Sequence, residues 1–159
     1  MLYGKLQDLP APWAHFCLGI SSFVQWEVGV NLEGKKVLAG FSGGPDSAAL
    51  VRVMHYLAPG LNMKLAAAYL DHGLRMEAGD DLALVQKTCT ELNIELFQGR
   101  SKVSKLAGAR RTGIEDAARR LRYRYLQGVA RRIGADYVLT GHHLNDLAED
   151  ILMRLQRLS

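Results

Sequence analysis

Residues 42 to 47, Ser-Gly-Gly-Pro-Asp-Ser, place two adjacent glycines, a proline, a carboxylate and two hydroxyls between an apolar run and a helix-forming one. Gly43 and Gly44 let the backbone approach a ligand without interference from a Cβ. The amides at the start of a following helix point outward and attract anions. Ser42 and Ser47 can add hydroxyl donors, and Pro45 suits the first position of the helix. The segment is therefore a phosphate cradle in physical terms. It has neither the GK[ST] of the common nucleoside-triphosphate loop nor the GxGxxG of dinucleotide folds. Asp46 is the odd member, because a carboxylate beside phosphates is repelled unless a cation lies between them. That implies Mg²⁺ bridging Asp46 and a pyrophosphate group. The plainer alternative is that Asp46 and Ser47 serve only the helix N-terminus, worth about 0.5–1 kcal/mol.

Further chemistry-bearing residues are spread along the chain. Arg119 and Arg122 stand three apart on a helical stretch and can face one site together. A charge-assisted hydrogen bond from either contributes about 1.5–3 kcal/mol, although arginines on such helices commonly face water. Asp146 and Glu149 share one helix face, where carboxylates can hold an ammonium group and one can accept its proton. The alternative is that they complement the helix dipole behind Asn145 as N-cap. His72, His142 and His143 can polarise or position a ligand. A zinc site is disfavoured because neither cysteines nor an HxxxH pattern accompany them.

Positioning these groups requires strands and helices in a particular order. An apolar stretch from Lys35 to Phe41 reads as a buried strand, followed by the glycine turn and a helix to Leu57, which Pro59 and Gly60 end. Lys64–Leu70, KLAAAYL, reads as a second strand whose small residues let helices pack closely on both faces. The periodicity predicts a helix over 78–93 with Leu82, Val85, Cys89 and Leu92 inward, then a strand over 94–98. A long helix runs from Gly113 to about Ile133, with Ile114, Ala117, Leu121, Tyr125, Val129 and Ile133 inward. Tyr137–Thr140 is a fourth strand, and a last helix starts near Asn145 and runs toward the end of the chain. Tyr123 and Tyr125 offer aromatic surface, Tyr125 more as core. Before all this, residues 1–12 read as a loose lead-in. A helix follows from Trp13 with Phe16, Ile20, Phe23 and Val24 on one stripe.

Alternating strands and helices specify an α/β fold: a mostly parallel, Rossmann-like sheet with helices on both faces. Ligands in such sheets bind beyond the carboxyl ends of the strands. The unusual segments 42–47, 71–75 and 141–146 all fall there. Residues 1–34 form a lead-in and helix packed on one domain over 35–159, with no internal repeat or linker.

Composition is that of an ordinary globular chain: 159 residues, 48% hydrophobic and 23% charged. No stretch approaches the roughly 20 apolar residues of a membrane span, so no membrane partner is expected. Two distant cysteines, Cys17 and Cys89, and no signal-peptide pattern suggest a reduced, cytoplasmic chain. The net charge of +4 originates between Arg100 and Arg132, where lysines and arginines meet only Glu115 and Asp116. That suits a polyanionic partner or, more plainly, a solvated helix face.

SGGPDS after a strand resembles the SGGxDS signature of the PP-loop ATP pyrophosphatases, which cut ATP between its α- and β-phosphates and belong to the adenine nucleotide alpha hydrolase-like folds. YLDHGLR (Tyr69–Arg75), GIEDAARRLRYRYL (Gly113–Leu126) and TGHHLNDLAEDILMRLQR (Thr140–Arg157) resemble, in order and spacing, the tRNA(Ile)-lysidine synthetases. The resemblance implies a ligase. ATP adenylates the C2 oxygen of the wobble cytidine of an isoleucine tRNA with a CAU anticodon. Free lysine then displaces AMP, leaving lysidine. It further implies ATP bound by Ser42, Gly43, Gly44, Pro45, Asp46 and Ser47, with Mg²⁺ on Asp46. Arg122 would contact the phosphates with Arg119 in support, and His72 and His142 would lie near the adenylate. Asp146 and Glu149 would recognise lysine. Where the family has two aspartates and a glutamine after the His pair, then a glutamate and a threonine, this chain has Asn145, Asp146, Leu147, Glu149 and Asp150. The family continues past the position of Ser159, so the resemblance implies a chain truncated on its C-terminal side. Other readings are another PP-loop activity, such as tRNA thiolation or amidation, and a non-catalytic nucleotide-binding module. The CxxC pairs typical of two-thiocytidine thiolation are missing.

Overall fold

A computed structural model describes residues 3–71, 78–101, 111–141 and 156–157. After a 3₁₀ turn at Leu6–Asp8 come α1 (Ala11–Ser22) and a π-helical turn (Phe23–Glu27). The main body follows as β1 (Lys36–Gly40), α2 (Pro45–Leu57), β2 (Lys64–Asp71), α3 (Ala78–Glu91), β3 (Glu95–Arg100), α4 (Arg111–Ile133) and β4 (Tyr137–Thr140). The two residues of β5 (Gln156–Arg157) complete the order.

Four parallel strands lie in the order β3-β2-β1-β4, and β5 adds antiparallel to the outer edge of β4. The chain therefore builds outward from β1 to β3 and then returns to pair β4 with the other edge of β1. That reversal makes the β1/β4 crevice the switch point of the sheet. The sequence reading carried a helix toward the end of the chain; instead Gln156 and Arg157 pair with Val138 and Tyr137. The free edge of β4 explains this, since its unpaired N–H and C=O groups are a template for another strand.

Val37, Leu38 and Ala39 are all fully buried, as expected of a parallel strand covered on both faces. Alternation divides them. Ala39, Ala67 and Tyr69 pack with Val51 of α2 and with Val85 and Cys89 of α3. Leu38, Ala66 and Ala68 face the other way, onto Leu126, Val129 and Ala130 of α4. The alanines of β2 thus admit α4 on one side and α3 on the other. A third cluster joins Val37 and Leu139 to Met54 and to Val24, with Ile20 packed against it.

Along α1 and the turn after it, Ile20 and Val24 of the expected stripe pack inward, but Phe16 is 52% exposed and its neighbour Cys17 is buried in its stead. The helix also begins at Ala11, with Pro12 in its first turn, so residues 11 and 12 belong to it rather than to a lead-in. The long helix likewise starts at Arg111, ahead of Gly113.

The direction of α4 is set at its far end. The Lys36 ammonium donates to the Ile133 carbonyl at 2.8 Å, a cation at a helix C-terminus. The Lys36 N–H donates to the Asp136 carboxylate, also at 2.8 Å. Leu126 meanwhile lies against Gly40, at the other end of β1. The helix consequently runs antiparallel to β1, and the residues preceding Leu126 lead past the carboxyl edge of the sheet.

Candidate functional site

The bend after β1 is built largely from its own residues. The Phe41 N–H donates to the Ala68 carbonyl at 2.8 Å, adding one rung toward β2 before the chain turns. Gly43 has φ +87°, a left-handed conformation that L side chains rarely adopt. Pro45 opens α2, and Gly44 before it supplies no side-chain cap. The Ser47 hydroxyl reaches back to close the bend. It donates to the Gly44 carbonyl at 2.9 Å, accepts the Ser42 N–H at 3.1 Å and meets the Ser42 hydroxyl at 3.1 Å. Its one hydrogen is spent on Gly44, so Ser42 is the donor in the hydroxyl pair. Ser47 is only 3% exposed, whereas Ser42 is exposed. The sequence reading treated both serines as ligand donors. The geometry makes Ser47 the clasp of the cradle, with the exposed Ser42 donating its hydroxyl hydrogen to that clasp. Asp46 sits in the first turn of α2, half-buried.

The far wall comes from α3. A Cβ on Gly43 would lie 2.8 Å from the Asp81 Cβ and 3.1 Å from its Oδ1. Glycine is thus required at 43 both for its φ and for room. Burial raises the pKa of the Tyr69 phenol, and the neighbouring Asp71 and Asp81 carboxylates push it the same way. Asp71, at the end of β2, pairs with Arg100 at 3.3 Å.

Beside the bend, β4 ends at Thr140, paired in register with Gly40. The Thr140 methyl lies 3.3 Å from where a Gly40 Cβ would stand, next to Leu126 at 3.2 Å. Its hydroxyl is buried and makes no hydrogen bond among the described residues, at a cost of about 1–3 kcal/mol for such a group. Gly141 then passes over the first turn of α2. A Cβ there would be 3.2 Å from the Asp46 carbonyl and the Ser47 nitrogen, both backbone atoms that cannot easily yield.

On α4, Arg119, Arg122 and Leu126 follow one row at spacings of three and four. Exposure rises along it from buried Leu126 through half-buried Arg122 to exposed Arg119, as expected of a helix climbing past the strand ends. The Arg119 guanidinium lies 5.9 Å from the centre of the Tyr123 ring.

A family profile described as a PP-loop domain matches residues 21–159. The chain belongs to the PP-loop family. Among curated relatives, this PP-loop chain is 42% identical over 132 residues to a tRNA(Ile)-lysidine synthase of Nitratidesulfovibrio vulgaris, covering 81% of the chain and 38% of the relative. It is 44% identical over 125 residues to one of Symbiobacterium thermophilum, covering 78% and 26%. The chain thus spans well under half the length of these relatives. Two solved structures share its fold at low identity. They are the U34-tRNA thiolase NcsA of Methanococcus maripaludis, with TM-score 0.63, 21% identity and coverage of 84% and 48%, and the NH3-dependent NAD synthetase of Campylobacter jejuni, with TM-score 0.60, 20% identity and coverage of 85% and 58%.

Of the residues singled out from the sequence, the PP-loop fold brings Ser42, Gly43, Gly44, Pro45, Asp46 and Ser47 together at one bend and carries Arg119 and Arg122 on the part of α4 that leads past the same edge of the sheet. His72, His142, Asp146 and Glu149 lie outside the described residues, as do His143, Asn145 and Leu147. Among the described residues no three acidic, histidine or cysteine side chains gather as a metal centre. Asp46 in the first turn of α2, with the Asp81 carboxylate beside Gly43, nevertheless fits Mg²⁺, which takes one or two carboxylates and completes its shell from ligand phosphates and water. Two neighbours of the bend escaped the sequence reading. Asp81 looks like an ordinary first-turn helix acid; Thr140 opens the TGHHLND segment, but as a strand end it carried no role of its own in the sequence.

Tyr125, read as core, packs its ring against Gly99. Both thiols are buried, and burial pushes that of Cys89 up to about 11. A cavity of about 280 Å³ between α3 and β3 is lined by Gln86, Thr90, Asn93 and Gln98 among others. It opens beside the end of α3 rather than at the bend. No helix among the described residues is long and apolar enough to cross a membrane.

Proposed function

We propose that this chain is the nucleotide-binding part of a tRNA(Ile)-lysidine synthase, a ligase acting on an isoleucine tRNA with a CAU anticodon. The observation that carries the reading is the Ser47-clasped SGGPDS bend at the N-terminus of α2. The named relatives at 42% and 44% identity support the choice of reaction.

In the first step the C2 oxygen of the wobble cytidine attacks the α-phosphorus of ATP, the bond to the β-phosphate oxygen breaks, and pyrophosphate leaves. In the second, the lysine ε-amine attacks C2, the C2–oxygen bond breaks, AMP leaves, and the amine gives up a proton. The protein has to bind, orient and neutralise charge. The backbone of Ser42, Gly43, Gly44 and Pro45 surrounds the phosphates, with Ser47 holding that backbone in shape. Asp46 holds Mg²⁺, which when bound offsets the negative charge of the departing pyrophosphate. Arg122 serves the α-phosphate, where charge builds during transfer, with Arg119 in support. The roles the sequence suggests for His72 and His142 toward the adenylate, and for Asp146 and Glu149 toward the lysine ammonium, belong to the same reading. The exposed arginines 120, 124 and 131, spaced to fall along one side of α4, suit the RNA backbone. Both cysteines being buried, neither offers an accessible thiol for sulfur transfer, which favours ligation over thiolation.

The test is AMP release from ATP, measured with the chain alone and with residues 21–159 substituted into the matching segment of the N. vulgaris relative. Release that requires lysine and the isoleucine tRNA together, and disappears in Asp46→Ala, is expected of the substituted enzyme. AMP release indifferent to lysine would overturn the ligase reading, and a chain that binds no Mg²⁺–ATP would overturn the nucleotide reading as well.

A further inference from the structure

Thr140 Oγ1 stands out as a buried side-chain polar atom with no hydrogen-bond partner among the described residues, in a side chain 7% exposed. Its position is not arbitrary. Thr140 closes β4, and Gly40, its partner in register, closes β1. The two flank the crevice at which strand order reverses, the place where open α/β sheets admit ligands. The methyl of Thr140 is turned to Gly40 and Leu126, so the apolar contact of the residue is made by its carbon. Valine would fill the same volume and leave nothing unsatisfied. Among the described residues the hydroxyl is a cost without a return.

We propose that Thr140 is a further ligand-positioning residue, whose hydroxyl donates a hydrogen bond to an acceptor on the nucleoside half of the triphosphate held by the 42–47 bend. The inference rests on the nucleotide reading above and extends it to a residue outside the glycine motif. Two observations choose the nucleoside half. Alternation along β4 places Val138 and Thr140 on the α4 face, whereas the bend opens onto the N-terminus of α2 on the opposite face. A ligand with its phosphates at α2 must cross the strand ends to reach Thr140. In addition, an uncharged hydroxyl matches a sugar or base acceptor, while the phosphates have a helix N-terminus and arginines to meet them. The crossing is short, because Gly141 touches the backbone of Asp46 and Ser47.

The experiment compares the wild-type chain with Thr140→Val and Thr140→Ser, reading thermal unfolding without ligand and affinity for Mg²⁺–ATP and Mg²⁺–pyrophosphate. Thr140→Val should melt at the wild-type temperature or a few degrees above it, about 2–4 °C. It should bind Mg²⁺–ATP about three- to tenfold more weakly with pyrophosphate affinity unchanged, and Thr140→Ser should bind ATP within about twofold of wild type. Wild-type ATP affinity in the valine variant overturns the proposal, as does an equal loss for pyrophosphate. A lowered melting temperature in Thr140→Val does the same, by showing that the hydroxyl has a structural partner. A wild-type chain that binds no Mg²⁺–ATP removes the nucleotide reading itself, an outcome distinct from a wild-type chain that binds and a valine variant that binds equally well.

Discussion

The bends leaving β1 and β4 lie side by side, and they treat a buried hydroxyl in opposite ways. After β1, Ser47 spends its hydroxyl on the Gly44 carbonyl and the Ser42 amide. After β4, Thr140 keeps a buried hydroxyl with no partner among the described residues. The first bend is finished before any ligand arrives, and its donors to a ligand are backbone groups held in place by a side chain. The second is complete in its apolar packing and incomplete in its polar one. A preorganised bend thus lies beside a position that, on the proposal above, gains a hydrogen bond when a ligand supplies an acceptor.

The harshest way to break the comparison is Gly43→Ala. A left-handed φ of +87° and a Cβ 2.8 Å from that of Asp81 leave alanine no place without movement of the bend or of α3. A loss of about 1–3 kcal/mol is expected, together with a more than tenfold fall in Mg²⁺–ATP affinity, read by chemical unfolding and titration. Unchanged unfolding would mean that the bend tolerates a β-carbon and is not the rigid cradle described. Ser47→Ala sharpens the contrast. Removing the clasp should lower stability by about 1–2 kcal/mol, opposite in sign to the effect expected for Thr140→Val at the neighbouring bend. If both substitutions shift unfolding in the same direction, the distinction between the two hydroxyls is lost. The smallest effect belongs to Asp81→Asn, which keeps shape and removes a charge beside the cradle. Metal-free ATP should then bind about two- to threefold more tightly, with Mg²⁺–ATP little changed, because the carboxylate repels bare phosphates across a solvent-exposed mouth. Titrations with magnesium and with a chelator check it; equal ratios in wild type and variant would place Asp81 outside the field of the ligand.

The local rules were readable in advance wherever the chemistry is local. An apolar run, two glycines and a proline specify strand, bend and helix start within a dozen residues, and β1 and α2 form there with bounds close to those read from the pattern. The alanines of β2 foretold helices close on both faces. In the stripe of the first helix Ile20 and Val24 face inward as the pattern implies, but Cys17 is buried where Phe16 is expected, because aromatics surround the helix. Trp13, Phe16 and Trp26 are exposed while small Cys17 is buried, so hydrophobicity alone points to the wrong residue there. The pairing of β5 with β4 escaped for another reason, since an edge strand recruits its partner through backbone groups that carry no residue signature.

From the residue types alone came an α/β chain, a phosphate-binding bend and a helix rich in arginine, because backbone freedom, helix periodicity and charge are properties of neighbouring residues. Only the folded chain decided that β4 joins β1 on the side away from β2, that Asp81 closes on Gly43, and that Thr140 ends beside Gly40 with a hydroxyl unpartnered among the described residues. Those outcomes depend on strand order, register and packing between segments from 38 to 100 residues apart, and such pairings are chosen by how the whole core packs.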